Sequence, residues 1–342
     1  MLGTILRLFT TRTATRPLDS LDCMTGGILA VCRAMRNLQT IISILLFFQC
    51  SLGFAEQSQF TLVHDGSTRS YEVFKPSSYT EDTPAPVLIA LHGRNSSGQR
   101  MADLTRFNLR AEVHGFIAVY PDGLDRQWNY LHGAHPQAGA PNDSEFLLKI
   151  KQDLRTRLNI DAARVYVVGI SNGGFMTQRL ACYAPNEFAG FASIAAGGFA
   201  EMPSVCQNGA PINLLIMHGT ADSKVPWRGI GIQDSQGNKQ LITLSIANTM
   251  KYWTTHNRCG PGIDHKEITP AGNSTGTKVK IFTSSNCADS ASVVLYAIIG
   301  GGHNWPGVAN FIPPDIAGLV NLDIHASDVV WEFFRTSNLL GR

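Results

Sequence analysis

The sequence predicts an α/β fold: a doubly wound, mostly parallel sheet in a single domain. Short apolar, β-branched runs alternate with longer amphipathic stretches from residue 60 onward, as in chains that thread strands through covering helices. No Ser/Thr-rich or Pro-rich linker and no internal repeat interrupts the alternation. With 342 residues and 44% hydrophobic content, the chain can bury a large core.

Phe60 to Val63 and Arg69 to Phe74, separated by Asp65-Gly66, read as an opening hairpin. Strands are then expected at Pro86 to Leu91, Phe116 to Tyr120, Arg164 to Gly169, Phe191 to Ala196, Ile212 to Met217 and Val293 to Ile299. These runs are apolar throughout rather than alternating, which marks strands covered on both faces. Helices are expected at 100 to 113, 144 to 158, 173 to 183, 242 to 256 and 324 to 336. Asn142, with Glu145 three residues on, reads as a helix cap.

Residues 1 to 55 stand apart as an N-terminal extension plus signal peptide, with the domain at 56 to 342. Arg36 precedes the apolar run Ile41 to Phe48, and Gly53-Phe54-Ala55 offers small residues at a cleavage point. The apolar run is far short of the roughly 20 residues that span a bilayer, which argues against a stable membrane anchor. Met35 makes a better start for such a signal than Met1. Cys50 invites a lipoprotein reading, but Phe48-Gln49 before it are not the small residues lipid attachment needs. Export to the periplasm or the medium is therefore expected.

The chain carries 28 basic and 26 acidic residues. Removing the leader takes five arginines and two aspartates, leaving 23 and 24, so the body is nearly neutral and offers no basic track for nucleic acid. It also leaves four cysteines, Cys182, Cys206, Cys259 and Cys287, which allow three pairings or free thiols. Sequence-local pairing would close loops worth roughly 3.5 kcal/mol each in the chain-entropy model.

Ligands of open α/β sheets bind at the carboxyl ends of strands. Behind the strand ending at Gly169 stands Gly169-Ile-Ser171-Asn-Gly173-Gly, running directly into a helical stretch. This is a G-x-S-x-G nucleophile elbow in its strand-turn-helix context, where the turn is too tight for side chains at its flanks. A Ser hydroxyl needs a base, and the base needs an orienting acid. Asp222 follows the strand ending at Met217; its competitors Asp234 and Asp264 follow no apolar strand. His303 follows the last strand within Gly300-Gly-Gly-His-Asn-Trp-Pro306, where flanking glycines give the imidazole freedom to reach the Ser. His92 and His218 sit in His-Gly turns, His132 and His135 in a polar loop, and His325 on the last helix. The order Ser171, Asp222, His303 is the one this elbow requires.

The oxyanion of the reaction needs two backbone donors: the amide of Asn172, after the nucleophile, and one from Leu91 to Gly98, best placed at Arg94. Trp128, Trp227 and Trp305, with Asn304 beside His303, are candidates for lining a substrate cleft. His132 and His135 have metal-compatible spacing but no Cys or acidic partner nearby, so no metal site is assigned. No phosphate loop or dinucleotide fingerprint is present, so no cofactor is expected. Asn95, Asn142 and Asn273 fit the N-glycosylation pattern.

These motifs resemble one family, the secreted poly(3-hydroxybutyrate) depolymerase-like esterases, which include bacterial feruloyl esterases and LpqC-type lipoproteins. The resemblance runs from about Arg69 to Trp331. It rests on Leu-His-Gly at 91 to 93, Tyr-Pro-Asp-Gly at 120 to 123 with Trp-Asn at 128 to 129, and Gly-Ile-Ser-Asn-Gly-Gly at 169 to 174 with Leu-Ala-Cys at 180 to 182. His-Gly-Thr-Ala-Asp at 218 to 222 and Gly-Gly-Gly-His-Asn-Trp-Pro-Gly at 300 to 307 complete it. It implies an α/β-hydrolase fold, Ser171, Asp222 and His303 as a triad, and the pairs Cys182 with Cys206 and Cys259 with Cys287. The chain departs from the family where many members carry a paired Asp and it has Asn142-Asp143, and where Arg94 replaces smaller residues.

The implied activity is cleavage of small esters or hydroxyalkanoate oligomers, the alternative being feruloyl or acetyl esters of plant polysaccharide. Members that act on solid polymer usually add a linker and binding domain, and this chain ends at Arg342 just after its last helix. An exported peptidase or thioesterase with the same triad, or a hydrolase-fold binding protein without turnover, are the competing classes.

Overall fold

The computed structural model describes residues 54–131, 141–206, 209–233, 236–237, 239–270, 272, 276–309 and 311–337. The leader before residue 54, the His132 and His135 pair, Asp234 and Asn273 lie outside the described residues. The chain opens with the hairpin of β1 (Glu56–His64) and β2 (Ser67–Lys75). Its turn residues Asp65 and Gly66 both take positive φ, at 48° and 74°, as a turn matching the twist of the flanking strands requires.

Five buried strands follow: β3 (Ala85–Leu91), β4 (Ile117–Pro121), β5 (Ile160–Ile170), β6 (Gly190–Ile194) and β7 (Leu214–Gly219). A small hairpin, β8 (Ile230–Gln233) and β9 (Lys239–Thr243), precedes β10 (Asp264–Glu267), β11 (Lys278–Ser284) and β12 (Val293–Ile299). The main sheet has the order β1-β2-β4-β3-β5-β6-β7-β12-β11-β10. From β4 through β12 all neighbours are parallel, whereas β1, β2, β10 and β11 extend the two sides antiparallel.

Helices cover both faces: α1 (Gly98–Thr105), α2 (Phe107–His114), α3 (Asp143–Arg157), α4 (Asn172–Tyr183), α5 (Met202–Val205), α6 (Ile246–His256), α7 (Pro314–Ala317) and α8 (Ala326–Arg335). One core layer joins Val87, Ile89, Val167 and Ile216 to Phe146, Met176 and Trp253. The other joins Leu88, Tyr166 and Val168 to Phe107, Phe116, Trp331 and Phe334. No described helix is long and apolar enough to cross a membrane.

The architecture is the expected one, with local differences that include the unexpected β8–β9 hairpin. The helix expected at 100 to 113 is two helices, because Arg106 takes the left-handed conformation (φ 52°) and its N–H closes α1 on Ala102; no proline or glycine marks the break. The helix expected at 242 to 256 begins at Ile246, where the Ser245 side chain accepts the Asn248 N–H. Strands β10 and β11 were not expected, since every β10 residue is exposed and lysines alternate along β11. Asn142 caps α3 by accepting the Glu145 N–H.

The four cysteines form Cys182–Cys206 and Cys259–Cys287. The first joins the end of α4 to the residue after α5, and the second joins the loop after α6 to the approach to β12. The double substitution Cys182→Ala/Cys206→Ala is expected to lower the unfolding free energy by about 3 kcal/mol, read as a reduced urea midpoint with little change of slope.

Candidate active site

Ser171 stands where β5 meets α4, and its backbone is strained: φ 56° and ψ −120°. Such a non-glycine conformation costs roughly 1–3 kcal/mol and persists only where surroundings enforce it. Here the Ser171 N–H donates to Ile194 O at 2.8 Å, and its carbonyl accepts the Phe175 N–H at 3.0 Å, opening α4. A Cβ on Gly169 would lie 2.2 Å from Gly173 O, and one on Gly173 would lie 2.3 Å from Leu91 O. Both glycines are points where backbone passes backbone, so no larger residue fits. Ser171 is half-buried, whereas Asn172 to Ala181 are buried.

Asp222 lies three residues past β7 and His303 four past β12. With β5, these strands are parallel and lie within four adjacent positions of the sheet, so all three residues leave the same edge. His303 Nδ1 donates to Asp222 Oδ2 at 2.7 Å. Asp222 Oδ1 accepts the Lys224 and Val225 N–H groups, each at 2.8 Å. Thus the carboxylate is fixed by its own turn and holds the imidazole with its other oxygen, which leaves Nε2 as the nitrogen not engaged by the acid. The Asp222 side chain is fully buried, and that of His303 is 11% exposed.

Glycines beside this pair do something other than the expected loosening of His303. A Cβ on Gly219 would meet Gly301 O at 2.2 Å, and one on Gly302 would meet Ala317 O at 1.9 Å. They let the acid-bearing and histidine-bearing loops pack against each other and against α7. The His303 N–H donates to Ala317 O, so the residue is held rather than free.

Gly93 passes directly over the elbow: a Cβ there would be 3.6 Å from both Ser171 Cβ and Ile170 O. The Arg94 that follows is exposed. The segment 122–129 braces both sides of the elbow. Trp128 N–H donates to Asn172 Oδ1 at 2.6 Å, Asn172 Nδ2 donates to Trp128 O at 3.0 Å, and Trp128 Nε1 donates to His92 O at 2.9 Å. Asn95 N–H donates to Arg126 O at 2.8 Å, and Arg126 Nη2 returns a bond to Asn95 O.

Three of the four residues expected to line a cleft are structural. Trp128 is 2% exposed and spends its indole N–H on His92. Trp305 is 2% exposed, donates to Ser327 Oγ and meets Phe107 edge-on. Asn304 donates to the carbonyls of Ala317, Gly318 and Leu319. Trp227 remains half-buried, its ring 6.0 Å from that of His218. Position next to a motif does not reveal which way an aromatic ring faces. A cluster not expected from sequence joins Phe175, Ala196 and Val225 with Tyr130 beside them, linking the first turn of α4 to the acid turn.

Two histidines assigned no role prove integral. His92 Nδ1 donates to Gly93 O at 2.7 Å, and its Nε2 accepts the Gly123 N–H at 2.9 Å. His218 Nε2 donates to Val225 O at 2.8 Å and lies 3.7 Å from Asp222 Oδ2. Burial pushes both imidazoles below the usual histidine pKa. Their His-Gly context at strand ends was the only sequence signal.

Over residues 69–210 the sequence matches the family described as Esterase PHB depolymerase. It is 28% identical over 278 residues to the putative esterase NocK of Nocardia uniformis subsp. tsuyamanensis, across 78% of this chain and 79% of that protein. It is 25% identical over 254 residues to feruloyl esterase B of Piromyces equi, across 70% of this chain but only 44% of that larger protein. An acetyl xylan esterase from Aspergillus awamori shares the fold, with a TM-score of 0.54 at 17% identity, covering 81% of this chain and 99% of that one. The chain thus has the α/β-hydrolase fold of esterases and is a carboxylic ester hydrolase.

Four buried or half-buried histidines set a pH dependence of stability. His92, His218, His256 and His325 all have folded values lowered by burial, against an unfolded value of about 6.5. The native state therefore binds fewer protons than the unfolded chain on the acid side. This stability is full above about pH 6.5 and is lost as pH falls towards the folded values. Urea unfolding is expected to give a lower free energy at pH 5 than at pH 7, and His218→Asn to narrow the gap.

Proposed function

We propose that the protein is a secreted serine esterase working through an acyl-enzyme on Ser171. The observation that carries the reading is the buried Asp222–His303 hydrogen bond at 2.7 Å, at the same sheet edge as a strained Ser171. In this reading His303 Nε2 removes the Ser171 proton as Oγ attacks the ester carbonyl. Asp222 holds the ring and stabilises the imidazolium, and His303 then returns the proton to the leaving alcohol. Water repeats the sequence on the acyl-enzyme. The amides of Asn172 and Arg94 receive the oxyanion, an arrangement favoured by Gly93 passing against Ser171.

The substrate class that fits is a small ester or a hydroxyalkanoate oligomer, as the family's description indicates. The second reading, feruloyl or acetyl esters of plant polysaccharide, is favoured by the names of the Piromyces and Aspergillus relatives. Export is supported by the two disulfides and by the basic and apolar leader ending near Ala55.

The test is turnover of p-nitrophenyl acetate and butyrate, methyl ferulate and a 3-hydroxybutyrate oligomer by the protein and two variants. Ser171→Ala is expected to lose at least about 10⁴-fold in kcat, and Asp222→Asn about 10³- to 10⁴-fold. The ranking within the panel selects between the substrate readings. Equal turnover by Ser171→Ala would refute the mechanism.

A further inference from the structure

We infer that the buried Arg69–Asp143 ion pair is a clasp that sets the position of both oxyanion donors, making Arg69 and Asp143 positioning residues; the inference rests on the esterase reading above. The pair lies outside the triad, joining β2 to the first residue of α3. Its side chains are 2% and 0% exposed, with Arg69 Nη2 2.9 Å from Asp143 Oδ1. The guanidinium also lies over the Phe146 ring, 3.9 Å from its centroid.

Burying two charges is a poor way to stabilise a fold, because desolvation offsets most of their attraction. What this pair does is hold the segment 122–129 at both ends. At the first end, Arg69 Nη2 also donates to Asp122 O at 3.1 Å. The N–H of that same peptide, on Gly123, donates to His92 Nε2, and His92 leads through Gly93 to Arg94. At the second end, Asp143 Oδ2 accepts the Asn129 N–H at 2.7 Å. The carbonyl of that same peptide, on Trp128, accepts Asn172 Nδ2 at 3.0 Å.

Two peptide planes therefore each carry the ion pair on one edge and an oxyanion segment on the other. A charge on one edge of a peptide polarises it and strengthens the bond on the opposite edge. Trp128 Nε1 ties the two arms together at His92 O. Remaining freedom at Asp122 is taken up by Ser70 Oγ and the Gly98 N–H, both at 2.8 Å. The two donors converge only if the segment keeps its span, and the ion pair fixes that span from behind.

The experiment compares the wild type, Ser171→Ala, Asp143→Asn and the double variant Arg69→Met/Asp143→Leu. The double variant leaves no unpaired buried charge and is expected to stay folded. Readouts are thermal unfolding, kcat and KM on p-nitrophenyl butyrate, and inhibition by an alkylboronic acid. In that inhibitor Ser171 Oγ bonds to boron, its proton passes to His303, and the tetrahedral anion presents an oxygen to the same donors.

For the double variant, kcat is expected to fall about 10- to 100-fold with KM within about threefold, and boronate affinity to fall by the same factor as kcat. Asp143→Asn, which can still accept from Asn129 but lacks the charge, should lie between. A folded double variant with wild-type kcat and boronate affinity overturns the proposal, as does a loss confined to KM. Should the double variant not fold, Asp143→Asn decides: unchanged kcat and boronate affinity there overturn the proposal equally. Failure of the esterase reading is separate: it would appear as no ester turnover by the wild type, or as turnover that survives Ser171→Ala.

Discussion

The constraint on which the site depends is the left-handed backbone at Ser171, where β5 must reverse into α4 within one residue. The conformation is unfavourable for serine, and the turn is so close that Gly173 lies against the end of β3 and Gly169 against Gly173 itself. Everything nearby serves to hold it: the buried strands β3, β5 and β6 fix the entry, the buried stretch Asn172 to Ala181 of α4 fixes the exit, and Ile194 accepts the Ser171 N–H. Such a strained strand-to-helix turn is the conformation that a nucleophile elbow uses to expose its hydroxyl.

Around this turn the remaining machinery is built from short loops that the sheet alone would not fix. The acid turn closes on itself through Asp222 Oδ1 and is tied to β7 by the bond from His218 to Val225. The histidine loop is packed at glycines against Gly219 and Ala317. The segment 122–129 has no regular structure beyond one 3-10 turn, yet buried side chains hold it at each end. Polar groups buried in this way are costly unless paired. Here the pairing converts three loops into a rigid surround for one strained residue.

The sheet and the site differed in how far they could be read from sequence. Strands such as Val87 to Leu91 and Val165 to Ile170 were legible because burial on both faces demands unbroken apolar runs. The elbow was legible because steric exclusion at Gly169 and Gly173 leaves a fixed residue pattern. The pairing of Asp222 with His303 was legible from chain order and strand ends. The antiparallel strands β10 and β11 were not, since an exposed strand such as Asp264–Glu267 carries little apolar signal. The roles of Arg69, His92, Asn129 and Asp143 were not either, because hydrogen bonds spanning 14 to 74 residues, such as Asn129 to Asp143, Gly123 to His92 and Arg69 to Asp143, leave no local pattern. Trp128 and Trp305 show the converse error: adjacency to a motif in sequence suggested a cleft wall, and packing turned both rings inward.

In the proposed mechanism the strained Ser171 carries the acyl group. Rapid acid quenching during turnover of p-nitrophenyl butyrate, followed by peptide mapping, tests it most directly. A butyryl adduct confined to Ser171 is expected, formed with a burst of p-nitrophenol matching the enzyme concentration. An adduct on another residue, or sustained turnover with no covalent intermediate trapped at Ser171, would contradict it.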